Sequence, residues 1–394
     1  MNILMVCDAF PPQCGGAGWD AFYLVKALQR EHTVTVVSIS GQSDEFEGIR
    51  VHRVKTPWGK EFAYLSLRKF LKKLLSDQHF DAINAHEATP IRASVGLGVP
   101  VIGSVHDYWP ICYKGTLFNR HLKTHYEMQT VMTCFKSVFF ENGVWVKIFS
   151  LPIAMYMLYR TYASRKALQE SDVIATASRY IYEKIKQVLP GKPWGVLYPI
   201  CAIAEYEKVP VKKFSRPTVV FVGKFNVNKG ATLVPKIAEL LPEVDFLMIG
   251  GTKEQLSIEI PQNVTIINYI PNQEVFSYLK SCDIFIAPAL WHEPLGRTIM
   301  EAMAMGTAPI VSDRGGMQLE LVESEKNGVI VKDPITPERF AEEIRSLLKD
   351  QSRRQRLKVA ARESFLEKFN EDVVFSQFTD LLSKIKRVPE EKTG

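Results

Sequence analysis

Twice along this chain, short unbroken apolar runs alternate with longer segments of helical periodicity, and a polar stretch containing Pro210 and Pro217 separates the two series. In the first half the runs 2–7, 33–39, 49–54, 81–85, 99–104, 172–176 and 195–198 read as strands, with helices between them such as 18–30 and 62–76. These runs do not alternate apolar with polar residues, as a strand with one wet face does. Continuous apolar strands are what a parallel sheet buried on both faces requires. After Arg216-Pro217 the pattern restarts, with strands at 218–222, 244–249, 264–267, 283–287 and 308–312 and helices at 230–241, 272–280 and 296–305. A helical tail follows at 337–350, 353–368 and 371–387. At 394 residues the chain is too long for one comfortable core. The pattern predicts an α/β fold of two doubly wound, Rossmann-like parallel-sheet domains facing a cleft: residues 1–200 and 218–370, with a linker at 201–217.

Composition narrows the function classes. Hydrophobic residues at 46% and charged residues at 23% are those of a globular protein. Lys and Arg outnumber Asp and Glu by 49 to 43, a net charge of +6. That suits phosphorylated substrates or an anionic membrane face and is too weak to argue for nucleic acid. Six scattered cysteines without a CxxC pair fit a reduced, cytoplasmic setting. Met1 runs directly into an apolar strand, so no signal peptide is expected.

The densest chemistry lies between Trp291 and Gly306. Pro294 and Gly296 open a helix directly after the strand 283–287, and Gly306 closes it. A helix N-terminus attracts anions through its unpaired N–H groups and its dipole. The amides of Leu295, Gly296, Arg297 and Thr298 are therefore candidates to hold a diphosphate. Glu301 lies about four residues further, roughly 6 Å along the axis, which is the reach to a ribose. Glu293 precedes the helix, on the side where a donor sugar would sit.

Glu293-Pro-Leu-Gly296, Glu301-Ala-Met303 and Gly306-Thr307 together resemble the signature of the retaining family 4, or group 1, glycosyltransferases, which have the GT-B fold. The resemblance runs along essentially the whole chain. It implies a nucleotide sugar, UDP- or GDP-linked, as co-substrate, no other cofactor, and a glycan or lipid-linked hydroxyl acceptor. It also implies that the last helix, from Glu371 to about Lys386, crosses back to the first domain.

Two glycine loops extend the match. Gly15, Gly16 and Gly18 follow the first strand and resemble the loop that closes over the donor diphosphate or the acceptor; they allow positive φ and close backbone approach to phosphate. Lys224 directly after Gly223, and Lys229 before Gly230, match family positions for cations that clamp the leaving diphosphate. His106, in His106-Asp-Tyr-Trp-Pro110, resembles a segment that places a histidine near the reacting sugar. The catalytic set is thus Glu293, His106, Lys229 and Lys224, with His86 and Asp107 as acceptor-side candidates. His121 and His125 stand four apart between Cys112 and Cys134, but the cysteines form no close pair, and no metal is assigned. No Asp-x-Asp occurs, which argues against the metal-dependent GT-A class.

Residues 138–162 are rich in aromatics and methionines, with Lys136, Lys147, Arg160, Arg165 and Lys166 around them. The uncharged run Ile148–Tyr159 is twelve residues, short of the 20 or so a span needs. Two expectations compete: core packing, or a helix lying peripherally on an anionic membrane. Two rival functions share the architecture. A phosphorylase needs a lysine holding pyridoxal phosphate, and no lysine stands in such a context. A non-catalytic, membrane-associated nucleotide-sugar scaffold would not need the full Glu293, Glu301, Lys224 and Lys229 set.

Overall fold

The structure, a computed structural model, describes residues 1–12, 14–41, 43–57, 59–122, 124–201, 208–316 and 320–385. The chain divides into two compact units. Met1–Leu117, Tyr126–Ile200 and Glu371–Gly394 form one, and Phe118–His125 with Cys201–Asn370 form the other.

The first unit opens with β1 (Asn2–Ala9), α1 (Gly16–Leu28), β2 (Thr33–Ser40), β3 (Glu45–Phe46), β4 (Ile49–Arg53), α2 (Ala63–Asp77), β5 (Ala82–His86), α3 (Ala88–Ser94) and β6 (Val101–Val105). A hairpin, β7 (Phe118–Asn119) and β8 (Thr124–His125), then groups with the second unit. The chain returns through α4 (Val131–Glu141), α5 (Val144–Ile148), α6 (Ser150–Glu170), β9 (Val173–Thr176), α7 (Arg179–Ile185) and β10 (Trp194–Val196). The sheet order is β10-β9-β6-β5-β1-β2-β4-β3, parallel except for the edge pair β3–β4. Every residue of β5 and β6 is buried, because helices cover both faces of the sheet. The chain runs outward from β1 to β2 and β4, then resumes at β5 on the opposite side of β1. The β1/β5 border is therefore the point where strand order reverses, outside whose carboxyl ends doubly wound folds bind ligands.

Helix α2 buries Leu67, Leu71 and Leu74 and turns its lysines outward. Its Arg68 donates from Nη1 to Val95 O at 2.6 Å and Ala93 O at 3.2 Å, satisfying carbonyls at the end of α3. The 138–162 stretch is helical and two-faced. Val138, Ala154, Thr161 and Ser164 are buried, whereas Ile148, Phe149, Leu151, Met155, Tyr159 and Tyr162 are exposed. No helix among the described residues is long and apolar enough to cross a membrane.

The second unit contains β11 (Thr218–Val222), α8 (Val234–Glu239), β12 (Asp245–Ile249), β13 (Val264–Ile267), α9 (Asn272–Ser281), β14 (Ile284–Ala287), α10 (Arg297–Ala304), β15 (Ala308–Ser312), β16 (Val329–Val331), α11 (Pro337–Lys349) and α12 (Gln351–Phe369). Its sheet is wholly parallel, in the order β13-β12-β11-β14-β15-β16, and reverses at β11/β14. Phe246, Ile284 and Ile310 from the strands meet Phe340 and Ile344 of α11 in one core. The helix expected over 230–241 is a one-turn 3-10 segment, Ala231–Leu233, followed by α8, whose first turn holds Pro235. Of the expected linker 201–217, residues 202–207 lie outside the described ones. The rest docks on α9: Lys212 N donates to Ser281 Oγ at 2.7 Å, and the Lys212 ammonium lies 4.3 Å from the Tyr278 ring centre.

The last helix, α13 (Glu371–Ile385), packs in the first unit. Arg30, in the turn after α1, pairs with Glu371 at 2.8 Å and Asp372 at 3.0 Å, and Lys384 Nζ donates to Trp194 O at 2.9 Å. Its expected end at 387 lies outside the described residues. Phe340 is fully buried in the second core. Phe340→Ala should destabilise that unit by about 3–5 kcal/mol, measured by chemical denaturation.

Candidate functional site

In the second unit, the loops that leave β11 and β14 interlock at the reversal point. Asn228 O accepts Leu290 N at 2.8 Å and Trp291 N at 3.3 Å, and Asn226 Oδ1 accepts Lys229 N at 3.0 Å. Gly230 sits at φ +68, and a Cβ there would lie 1.8 Å from Pro288 O. No side chain fits, so the Lys229-Gly230 step is dictated by backbone packing as well as by chemistry.

This interlock brings Lys229 to Glu293. Lys229 Nζ donates to Glu293 Oε2 at 2.6 Å, and the Trp291 indole N–H donates to the same oxygen at 2.9 Å. Glu293 is only 8% exposed, and its carboxylate is tolerated there because both donors face it. The Lys229 ammonium also lies 5.7 Å from the Trp291 ring centre. Gly316 N donates to Glu293 O at 2.8 Å and fixes the loop from behind.

Leu295 is buried, and Gly296 caps α10 without any side-chain hydrogen bond. The N–H groups of Arg297 and Thr298 stand in the first turn, where a helix offers no internal acceptor. Glu301, one turn on and 5% exposed, accepts Arg297 Nε at 3.1 Å. The carboxylate expected to reach a ribose is thus held by the next turn, at the i,i+4 spacing that pairs side chains on a helix. Lys224 is exposed and makes no ion pair among the described residues.

The hairpin β7–β8 adds groups that nothing in the sequence pointed to this place. Arg120 Nε donates to Asn228 Oδ1 at 3.0 Å, and the His125 ring meets His292 edge-on at 4.4 Å between centres. His121 and His125 with Cys112 and Cys134 do not gather: among the described residues no three His, Cys, Asp or Glu converge as metal ligands. Cys112 Sγ instead lies 3.2 Å from the Tyr126 hydroxyl, and Cys134 Sγ 3.5 Å from Ala154 O.

In the first unit, Gly15 caps α1 and Gly16 begins it, both exposed. Neither these nor Gly18 has a positive φ, so the left-handed backbone that glycine allows is not used here. Gly18 is required for space, since a Cβ would fall 2.6 Å from Cys14 Sγ. At the ends of β5 and β6 a hydrogen-bonded chain of side chains runs through the sheet. Asn84 Nδ2 donates to Ile102 O at 3.3 Å and Ser104 Oγ at 2.8 Å, which turns its Oδ1 toward His86 Nε2 at 2.7 Å. Burial, then the neighbouring His106, holds the His86 pKa well below the ordinary value, so His86 is neutral. Its Nε2 carries the proton given to Asn84, and its Nδ1 accepts from His106 Nε2 at 3.0 Å. His106 Nδ1 then faces Asp20 Oδ2 at 3.4 Å.

Residues 203–364 match the family described as glycosyl transferases group 1, and residues 14–199 match glycosyltransferase family 4. Between them the two matches leave only the chain ends and residues 200–202 uncovered. The chain belongs to the group 1, family 4 glycosyltransferases. Alpha-maltose-1-phosphate synthase of Mycolicibacterium smegmatis is 30% identical over 190 residues, 43% of this chain and 49% of that one. The chain spans about half or less of the length of the curated relatives it matches at such identity. Sucrose-phosphate synthase of Thermosynechococcus elongatus superposes with a TM-score of 0.76 at 17% identity, over 98% of this chain and 100% of that one. Anabaena HepE in complex with UDP-glucose gives 0.69 at 16%, over 97% and 99%. The fold of this family member is GT-B.

The backbone is strained at Glu87 of the first unit: directly after β5, it has φ 76 and ψ 173, a region that essentially only glycine occupies, at a cost of order 1–3 kcal/mol. Burial, with Asp107, Asp8 and Asp20 adding to it, pushes its pKa well above the carboxylate range. Burial likewise raises Asp107 to about 6, against the Trp109 N–H that donates to its Oδ1 at 2.7 Å. A carboxyl whose folded pKa is raised holds its proton more tightly when folded. Its contribution to stability is therefore greatest below the unfolded value of 3.8 and is lost as pH rises to about 6. Asp107→Asn keeps the acceptor and removes the titration. Its stability relative to the parent should climb between about pH 4 and 6 and level off above, as followed by denaturant unfolding across pH.

Proposed function

We propose that this chain is a retaining, metal-independent glycosyltransferase that moves a sugar from a UDP- or GDP-sugar to a hydroxyl of a glycan or lipid-linked acceptor. The Lys229–Glu293–Trp291 contact at the β11/β14 reversal, beside the uncapped start of α10, is the observation that carries this reading. A fold relative solved with UDP-glucose supports the donor class.

In this reading the diphosphate takes the N–H groups of 295–298 together with the Lys224 and Lys229 ammonium groups. These cations would do the work that a divalent ion does in metal-dependent transferases, and their attraction grows as charge develops on the leaving oxygen. Lys229 exchanges Glu293 for phosphate as the donor enters, and Glu293 turns to the donor sugar. Glu301 receives the ribose hydroxyls once Arg297 yields an oxygen. Gly15 and Gly16, with open space beside their backbone, belong to the same donor set, and His106 assists at the reacting sugar. His86 and Asp107 belong to the acceptor side. Retention follows if the acceptor oxygen forms its bond to the anomeric carbon on the face from which the phosphate oxygen departs. The acceptor proton then passes to that phosphate oxygen, so no separate base is consumed.

The correct nucleotide sugar should raise stability by about 2.7 kcal/mol at a hundredfold excess over its Kd, read in a thermal-shift comparison of UDP-, GDP- and ADP-sugars. Purified protein should also hydrolyse that donor slowly. Lys229→Ala should slow turnover by about 10²–10³-fold, and Glu293→Ala should abolish it. Turnover unaffected by both changes would leave a binding scaffold as the better account.

The exposed face of α5 and α6, with Lys147, Arg160, Arg165 and Lys166 nearby, supports peripheral contact with an anionic cytoplasmic membrane surface. Sedimentation with phosphatidylglycerol vesicles should retain the protein at low salt and release it as salt rises. The double change Phe149→Ser and Tyr159→Ser should weaken retention about tenfold or more, given roughly 1.5–3 kcal/mol per buried aromatic. Equal retention of the double variant removes this part of the proposal.

A further inference from the structure

The residue before Lys229 is Asn228, and the residue before Glu293 is His292. The hairpin β7–β8 touches both. Arg120 Nε donates to Asn228 Oδ1 at 3.0 Å, and the His125 ring stands edge-on to His292, 4.4 Å between centres. Resting on the reading of this site as the seat of a donor diphosphate, we propose that Arg120 and His125 are positioning residues. The hairpin is a clip across the two loops that sets Lys229 against Glu293, and neither of its side chains touches the donor.

The hairpin does not support itself. Each strand has two residues, and even a longer two-stranded hairpin is marginal alone in water. Phe118 lies opposite His125 in register, 4.9 Å between ring centres, and Asn119 Oδ1 accepts Leu122 N at 2.8 Å. These contacts brace the His125 ring from across the strand pair. Docking on Asn228 and His292 then orders the hairpin and the two loops together.

The two contacts reach the ionic pair by different routes. Asn228 is buried, and its backbone carbonyl accepts Leu290 N and Trp291 N. The guanidinium therefore fixes the very residue that ties the β11 loop to the β14 loop, through a charge-assisted hydrogen bond, about twice as strong as a neutral one. On the other side of Asn228, Lys229 N is held by Asn226 Oδ1. With both neighbours fixed, the lysine stem starts from one place and its ammonium meets Glu293 Oε2. His125 acts through the β14 loop, where Gly316 N already anchors Glu293 O, so its effect is the smaller. Such placement matters because a cation helps a leaving anion only where it is aimed beforehand, and a misplacement of about 1 Å costs on the order of a hundredfold.

The test uses the full chain. Isothermal titration with UDP, GDP and ADP finds the nucleotide that the parent binds. Arg120→Met should weaken that nucleotide about tenfold or more, and His125→Ser about two- to tenfold. In a Lys229→Ala background each change should alter the remaining affinity less than about twofold, because it acts through Lys229. A second readout needs no nucleotide. The Trp291 indole N–H donates to Glu293 Oε2, so its signal in ¹⁵N-tryptophan-labelled protein, identified by Trp291→Phe, should move in both variants. Effects that persist in full without Lys229 mean that the hairpin side chains meet the nucleotide themselves, and they overturn the proposal. So does a lowered melting temperature with the Kd and the Trp291 signal at their parent values, which marks a structural role only. Binding by the parent that neither variant weakens strikes the hairpin's role alone. A parent that binds none of the three nucleotides strikes the donor reading itself and takes this proposal with it.

Discussion

Parallel pairing is the constraint from which the rest of this molecule follows. A parallel strand can be reached only by a crossover from the far end of its neighbour, so each sheet collects all its outgoing loops along one edge. Where strand order reverses, at β1/β5 and at β11/β14, the crossovers leave in opposite directions and cover neither loop. Those two places hold most of the chemistry. Asp8, His86 and Glu87 stand at the first; Lys224, Lys229 and Glu293 stand at the second. The strands themselves are buried on both faces, and that burial is what lets strained or charged residues sit at their ends.

The ion pair between Lys229 and Glu293 is weak grounds for stability. Desolvating two charges offsets much of what their attraction returns, and apolar replacements of similar size often do as well. Its clearer consequence is geometric: each partner orients the other, and the Trp291 N–H holds the carboxylate from a second direction. Arg297 and Glu301 repeat the device one turn into α10. Both carboxyl groups are thus held in a fixed orientation by a neighbouring cation.

The strands were legible because a strand buried on two faces must be apolar throughout, and 218–222 or 308–312 can be little else. That Glu293 and Glu301 flank one helix start was legible because the motif puts them on the loop and helix after β14; Lys229 lies in the separate loop after β11, and its contact with Glu293 depends on the interlock of the two loops. What escaped is short or depends on tertiary contact. β16 has three residues, too few to show a pattern. The hairpin 118–125 has two residues per strand and is placed by Arg120 on Asn228 and His125 on His292, contacts that link residues over a hundred positions apart. The glycines at 15–18 permit a left-handed backbone, yet the helix begins there with ordinary angles and Gly18 is small to clear Cys14 and the Ala9 carbonyl. The Arg297–Glu301 pair was open to reading from its i,i+4 spacing.

The two reversal points share a topology and differ in electrostatic sign. At β11/β14 the surroundings are cationic: two lysines and a helix start, with acidic groups already paired. At β1/β5 they are carboxyl-rich: Asp8, Asp20, Glu87 and Asp107 crowd together, and burial, joined for Glu87 by repulsion from the other three, pushes the Glu87 and Asp107 pKa values upward. Lysines and helix-start N–H groups at β11/β14 attract anions, whereas clustered carboxyl groups at β1/β5 accept hydrogen bonds, so one topology used twice presents opposite chemistry at equivalent strand ends.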